Sequence, residues 1–165
     1  MLEARRRVSS VSGPSWIFAH IQLAGKGRRG RMWVDPTGNF ACTCVFFPDR
    51  TIDEYALSSF TAALSLYDCL SDFTEGSAQV SIKWPNDILF NDKKIGGILV
   101  ETEINKENIK TIIGIGINLN INKEESWWGD LSKFALESKR NELINLILAE
   151  FLNIFDNSYD NWVDD

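Results

Sequence analysis

Residues Ile109 to Asn122 are the segment that most constrains this chain. Ile113, Ile115, Ile117, Leu119 and Ile121 alternate with Gly114, Gly116, Asn118, Asn120 and Asn122. An alternation of period two is a strand, with one face apolar core and the other small or amide-bearing. Phe40 to Phe47, Val80 to Trp84, Ile88-Leu89-Phe90 and Ile95 to Glu103 supply further strands, the last two joined by a turn at Asn91-Asp92-Lys93. Trp16 to Gln22 reads as another strand. Residues 2 to 8 resemble the end of a helix closed by Ser12-Gly13-Pro14-Ser15. Helical spacing then appears in Thr51 to Phe73, through Ile52, Ala56, Phe60, Ala63, Leu64, Tyr67 and Leu70, with Asp53 and Glu54 in its first turn. It returns in Asn141 to Tyr159, through Leu143, Ile144, Ile147, Phe151 and Phe155. Strands and hairpins grouped between helices predict an α+β fold, with a sheet packed on helices, in place of regular βαβ alternation.

With 165 residues, 44% of them apolar, the chain suits one domain and needs no disulfide or metal to hold a core. No apolar run approaches a membrane span, and the stretch after Arg5-Arg6-Arg7 is too short for a signal peptide. Cys42, Cys44 and Cys69 are odd in number and lack C-x-x-C spacing, and His20 is the only histidine. Reduced, buried thiols in a cytoplasmic protein are expected, rather than a disulfide framework or a zinc site. Trp127-Trp128 reads as a core anchor after a loop, with a partner surface as the alternative.

The net charge of −6 is unevenly spread. Residues 1 to 31 hold seven Lys or Arg against one acid, and the remainder ten against twenty-two. A basic patch on an acidic body implies a local anionic ligand; a general nucleic-acid binder would be basic throughout.

The patch is centred on Gly25-Lys26-Gly27-Arg28-Arg29-Gly30-Arg31, within an irregular loop from Leu23 to Asn39. It formally matches G-x-G-x-x-G, with Asp49 about twenty residues on, but Met32 to Gly38 contains Pro36 and cannot supply the helix that a dinucleotide fingerprint requires. As a P-loop it lacks the hydroxyl that would follow its lysine, because Arg31-Met32 stands there. What remains is a glycine-spaced backbone that can approach a ligand closely, ringed by cations that suit phosphate and carboxylate oxygens. A solvated surface loop is the bland alternative.

Lys83-Trp84-Pro85-Asn86-Asp87 forms a second cluster at a strand exit. There Pro85 fixes Lys83, Asn86 and Asp87 relative to one another, Lys83 could stabilise developing negative charge, and Asp87 could hold magnesium directly or through water. Ordinary turn residues would look similar. Lys93-Lys94 beside Gly96-Gly97 is a third, weaker cluster.

In this order, GKGRRGR followed by Trp33, KWPND at 83 to 87, KKIGGILVE at 93 to 101 and GIGIN at 114 to 118 resemble the catalytic domain of biotin protein ligases. The resemblance implies a mixed, mainly antiparallel sheet packed on helices, related to class II aminoacyl-tRNA synthetases. It implies an enzyme that joins biotin to ATP as biotinyl-5′-AMP and passes biotin to a lysine of a biotin carboxyl carrier protein, the acetyl-CoA carboxylase subunit. By position, Gln22 is expected to hydrogen-bond biotin, Lys26, Gly27 and Arg28 to wrap its carboxylate and the acyl phosphate, and Lys94 to bind the carboxylate end. Lys83 is expected to assist attack on the α-phosphorus and Arg28 to retain the adenylate. Arg29, Arg31, Trp33, Asn86, Asp87 and Asn118 are expected to serve ATP and magnesium.

The chain departs from the family pattern at both ends. The strand and Ser-Thr-Asn segment expected before the first helix are missing, as is a C-terminal SH3-like barrel, so residues 1–165 are expected to be the catalytic domain alone, with weakened biotin affinity. Lys26 replaces an arginine and Leu23 a threonine. No helix-turn-helix precedes the domain, so no repressor role is implied, and a homodimer stays open. Three rival readings stand beside the biotin ligase: a lipoate or other acyl protein ligase of the same fold, a nucleic-acid-binding module using Arg28, Arg29, Arg31 and Trp33, and an inactive fragment.

Overall fold

The computed structural model describes residues 1–34, 38–46, 58–74, 80–105, 108–120, 127–134, 142, 144–145 and 147–155. Their elements are α1 (Leu2–Arg7), β1 (Ser15–Phe18), β2 (Phe40–Phe46), α2 (Ser58–Phe73), β3 (Val80–Lys83), β4 (Asp87–Phe90), β5 (Lys93–Asn105), β6 (Asn108–Ile117) and a closing helix, α3, over 147–155. The strands form one sheet in the order β1-β2-β6-β5-β4-β3, and every neighbouring pair is antiparallel. This is the α+β sheet-on-helix arrangement expected from the strand and helix patterns.

The alternation in β6 organises both faces. Ile113, Ile115 and Ile117 are buried beside Cys42 and Cys44 of β2, Ile98 of β5 and Ile88 and Phe90 of β4. Ala62, Ala63, Leu66, Cys69 and Leu70 of α2 cover this face, with Ile147, Phe151 and Phe155 of α3. Each large apolar side chain removed from water here contributes about 1.5–3 kcal/mol. Trp16 of β1 closes the layer edge-on against Phe151, ring centres 5.7 Å apart. All three cysteines are buried thiols outside any disulfide, as expected.

On the opposite face, Ile112 and Val45 pack under Ala4 and Val8 of α1. Beyond them the floor is made of small residues. Register places Thr43 opposite Gly114, Ala41 opposite Gly116, and Gly116 opposite Gly97. Lys83 and Asp87, a cross-strand pair, stand on this same face, because Asp87 is opposite Gly97.

The turn between β4 and β5 is a two-residue hairpin in which Asn91 (φ 50°) and Asp92 (φ 61°) are both left-handed, a conformation these side chains tolerate.

Several boundaries differ from expectation. The first strand ends at Phe18, not Gln22, because β2 begins at Phe40 and offers only Ala41 O to Ala19 N beyond the ladder. β6 ends at Ile117 because β2 runs out opposite it at Phe40; toward β5 one further bond follows, Asn118 N to Ile95 O at 2.6 Å. The following turn is held instead by Asn39 Oδ1, which accepts from Leu119 N and Asn120 N at 2.9 and 3.0 Å. On α2, Phe60 and Leu64 belong to the expected apolar stripe yet are 41% and 55% exposed. Ala63 and Leu70 of that stripe do face inward, but the buried side is centred one position over, on Ala62, Leu66 and Cys69, and the small Ala62 and Ala63 let the helix lie close to the sheet. Ile52, Asp53, Glu54, Ala56, Asn122 and Leu143 lie outside the described residues.

Candidate active site

The basic glycine loop is folded back on itself. Lys26 and Met32 form an antiparallel bridge, Gly27 N donates to Arg31 O (2.8 Å), and Trp33 N donates to Gly25 O (3.0 Å). A short 3-10 turn over Arg28–Gly30 makes the tip, with Arg29 (φ 57°) and Gly30 (φ 73°) left-handed. Glycine is needed at Gly25 for a different reason: a Cβ there would lie 2.4 Å from Trp33 O. Gln22, half-buried, lies against Gly25, with its Oε1 3.1 Å from that Cβ position.

Trp33 leaves the loop and lies on the small-residue floor. A Cβ on Gly116 would fall 2.8 Å from its Cε2, and a Cβ on Gly97 would fall 3.5 Å from its Cζ3. Its Nε1 is buried there without a hydrogen-bond acceptor among the described residues. Lys94 Nζ sits 5.7 Å from the centre of the ring and pairs with Asp87 Oδ1 at 2.5 Å. Arg28 Nη1 donates to Asn86 Oδ1 at 3.2 Å, which ties the loop tip to the Pro85 turn.

The expected residues are thus brought together in two sets. Arg28 meets Asn86, and Trp33 meets Lys94, Gly97 and Gly116, with Asp87 joined to that set through Lys94. Asn118 joins the second set: its Nδ2 donates to Gly129 O at 3.2 Å, and with Met32, Trp33, Val34, Lys94 and Trp128 it lines a pocket of about 20 Å³. Lys26, Arg29, Arg31 and Lys83 are exposed around this pair of sets. Asp87 does not stand free as a metal ligand: it is engaged by Lys94, and no cluster of three or more His, Cys, Asp or Glu occurs among the described residues. A magnesium ion here would take most of its ligands from phosphate oxygens and water.

Residues 127–129 were not expected at the site. Lys94 N donates to Trp127 O and Gly129 N donates to Lys94 O, so this segment runs beside the start of β5 as a parallel bridge and holds the Lys94 backbone from both sides. Trp127 is 54% exposed and Trp128 half-buried, so the pair is a rim and not a core anchor. Nothing in local periodicity marks Trp128 or Gly129; only the unusual Trp-Trp-Gly run draws the eye. A larger open recess of about 300 Å³, between α1 and β5, is lined by Arg5, Glu101, Thr102, Glu103 and Ile112, of which only Glu101, the end of the KKIGGILVE segment, belongs to a motif.

Residues 1–118 match the model of the biotin/lipoate A/B protein ligase family. Over 118 residues the chain is 45% identical to a biotin–[acetyl-CoA-carboxylase] ligase of Paracoccus denitrificans, a match covering 71% of this chain and 49% of that one. It is 30% identical over 151 residues to the bifunctional ligase/repressor BirA of Escherichia coli, covering 87% of this chain and 46% of that one. The chain therefore spans about half the length of these curated relatives. Among solved structures, an arginine-to-glycine mutant of the Aquifex aeolicus biotin protein ligase in complex with biotin superposes with a TM-score of 0.73 at 25% identity, over 98% of this chain and 68% of that one. The Leishmania major biotin protein ligase in complex with biotinyl-5-AMP, at 23% identity, shares the fold with a TM-score of 0.72, over 96% of this chain and 70% of that one. With well over half of its residues inside the family model, and with the expected motifs gathered on one face of the expected sheet, the chain belongs to the biotin/lipoate A/B protein ligase family.

Proposed function

We propose that the chain, acting as one catalytic domain, activates biotin with ATP and transfers it to a lysine of the biotin carboxyl carrier protein of acetyl-CoA carboxylase. In the first step the biotin carboxylate attacks the α-phosphorus of ATP, forming biotinyl-5′-AMP and releasing pyrophosphate. In the second, the acceptor amine attacks the acyl carbon, AMP leaves and the nitrogen loses a proton. The obstacle in the first step is repulsion between a carboxylate and a triphosphate. The observation that carries the reading is the cation-rich loop tied by Arg28 to the Pro85 turn, with Lys83 and Lys94 rising from the same sheet face. Fixed positive charges beside the developing charge lower that barrier without reorganisation.

Lys83 is assigned to the α-phosphoryl group, Lys94 and Gln22 to biotin, and Lys26, Gly27 and Arg28 to the acyl phosphate. Arg29, Arg31 and Asn118 serve the nucleotide, Trp33 and Trp128 its apolar faces. Magnesium accompanies ATP as part of that substrate. The present pocket of about 20 Å³ is far below the roughly 300 Å³ that small-molecule sites occupy, so nucleotide entry requires Trp33 to lift from Gly116 and the loop to shift. The buried, unoxidised thiols suit a cytoplasmic setting. A nucleic-acid module would present Trp33 as an open stacking platform beside the cations, whereas its ring is turned onto the sheet floor.

The test is biotin- and ATP-dependent pyrophosphate release, followed by labelling of a carrier domain, with lipoate as the competing acyl substrate. Lys83→Ala should slow adenylate formation at least tenfold. Arg28→Ala should leave formation measurable while biotinyl-AMP escapes into solution. Unchanged rates in both variants, or labelling with lipoate in preference to biotin, would overturn the assignment.

A further inference from the structure

Asn86 is braced in a way that a residue waiting for a nucleotide would not need to be. Its backbone carbonyl accepts from Ile98 N at 2.9 Å, and its side-chain Nδ2 donates to Ile98 O at 2.8 Å. Both edges of one β5 residue therefore clamp it. With Nδ2 committed, the amide orientation is set, and Oδ1 is the end that faces outward. That oxygen accepts from Arg28 Nη1, across 58 positions of sequence, at 3.2 Å. On the loop side, Arg28 opens the 3-10 turn at the hairpin tip, and Arg31 N donates back to Arg28 O. Among the described residues this is the one side-chain hydrogen bond joining positions 26–32 to the sheet. The other anchor of the loop is the Trp33 ring on its glycine floor, at the hairpin's far end.

We infer that Asn86 is a positioning residue that sets the closed state of the glycine loop through Arg28, and that it does not contact ATP or its metal. The clamp on Ile98 supplies a rigid acceptor on the sheet, so the loop tip always finds the same docking point. Opening for substrate entry breaks one exposed, charge-assisted bond, and closure over the adenylate re-forms it. This inference rests on the adenylation reading only for its kinetic arm.

The 165-residue chain is compared with Asn86→Ala, Arg28→Ala, the double variant and Asn86→Asp, which keeps an acceptor oxygen toward Arg28. Hydrogen exchange of the Gly27, Arg31 and Trp33 amides in the ligand-free protein is read first, because it needs no activity. Asn86→Ala should speed exchange of these amides about three- to tenfold, in keeping with the loss of one net hydrogen bond. Arg28→Ala should do the same, and the double variant no more than either alone. Asn86→Asp, which keeps an acceptor toward Arg28 but gives up the donor to Ile98 O, should restore only part of the protection. Release of biotinyl-AMP should accelerate by a similar factor in Asn86→Ala while the KM for ATP stays unchanged. Additive effects in the double variant, exchange in Asn86→Ala that rises at Ile98 but not in the loop, or a raised KM for ATP that persists without Arg28 would each overturn the inference. Should the wild-type chain form no adenylate, the proposed function fails, and the exchange data alone still decide the role of Asn86.

Discussion

Replacing Gly116 by alanine tests whether Trp33 rests on the sheet as described. The new methyl carbon would lie 2.8 Å from Trp33 Cε2 and 2.9 Å from both Cζ2 and Nε1. Carbon pairs are comfortable at about 3.5–4.0 Å, so the indole would have to rise by roughly 1 Å. It cannot rise freely, since the Trp33 backbone is held by Gly25 O and its carbonyl sits where a Gly25 Cβ would be. Overpacking of this kind costs about 1–3 kcal/mol, against which removal of a strand glycine returns about 0.5–1 kcal/mol. The net expectation is a loss of about 1–2 kcal/mol, with the ring displaced away from the sheet floor. Gly97→Ala is the internal control on the paired residue. Its methyl would meet Trp33 Cζ3 at 3.5 Å and Lys94 Nζ at 3.7 Å, ordinary contact distances, so stability should hold or rise by about 0.5–1 kcal/mol. Urea unfolding gives the energies, and the fluorine resonance of 5-fluorotryptophan-labelled protein, assigned through Trp33→Phe, reports the ring. The reasoning is refuted if the Trp33 resonance is the same in Gly116→Ala as in wild type, or if the two variants behave alike.

Burial pushes the Cys69 thiol from 9.0 up to about 12, and Cys42 higher still. The unfolded chain therefore loses these protons first, and between pH 9 and 12 stability falls by about 1.4 kcal/mol per pH unit for each thiol. Urea midpoints from pH 8 to 11 should show this decline, with a shallower slope in Cys69→Ala; equal slopes would refute it. Asn39→Ala removes the acceptor of Leu119 N and Asn120 N at a buried position, and should cost about 2–4 kcal/mol in the same assay. Arg5→Ala breaks a two-point pair with Glu101 in which Arg5 is more than half exposed, so thermal melting should register a change of under about 1 kcal/mol.

What could be read from the residues was whatever depends on local period. The alternation in β6 identified the core face and the small-residue face, and both appear where the pattern put them. The hairpin at Asn91-Asp92 followed from two residues that tolerate positive φ. Where strands stop was not legible, because Gln22 and Asn118 fall outside the ladder only when the lengths of neighbouring strands are known. The buried side of α2 was equally hidden. Its apolar residues span more than one side: Ala63 and Leu70 are buried as expected, and only the sheet's position decides that Ala62, Leu66 and Cys69 join them in place of Phe60 and Leu64. For the site, residue type announced the cations and the glycines, but not their partners. That Asp87 would be neutralised by Lys94 depends on β4 pairing with β5, where Asp87 stands opposite Gly97 and Lys94 opposite Leu89, and the Arg28 contact to Asn86 depends on how the loop folds back onto the Pro85 turn.

The two faces of β6 divide stability from function in a manner that explains why the charges lie where they do. The isoleucine face is covered by α2 and α3 and tolerates no charge, so the catalytic cations must come from elsewhere. At Gly114 and Gly116 this face of β6 has no side chain to offer. Positive groups near Gly116 therefore arrive from a loop tip, a strand exit and a hairpin start, Arg28, Lys83 and Lys94 among them. Groups mounted on such termini can move while the floor stays rigid. Under the proposed function, the site first admits two mutually repelling anions and then holds their product, which calls for that combination of an immobile, neutral floor and movable charge above it. A glycine at 116 and a tryptophan at 33 are then two halves of one requirement, since the bare strand gives the indole a place to lie when the loop is closed.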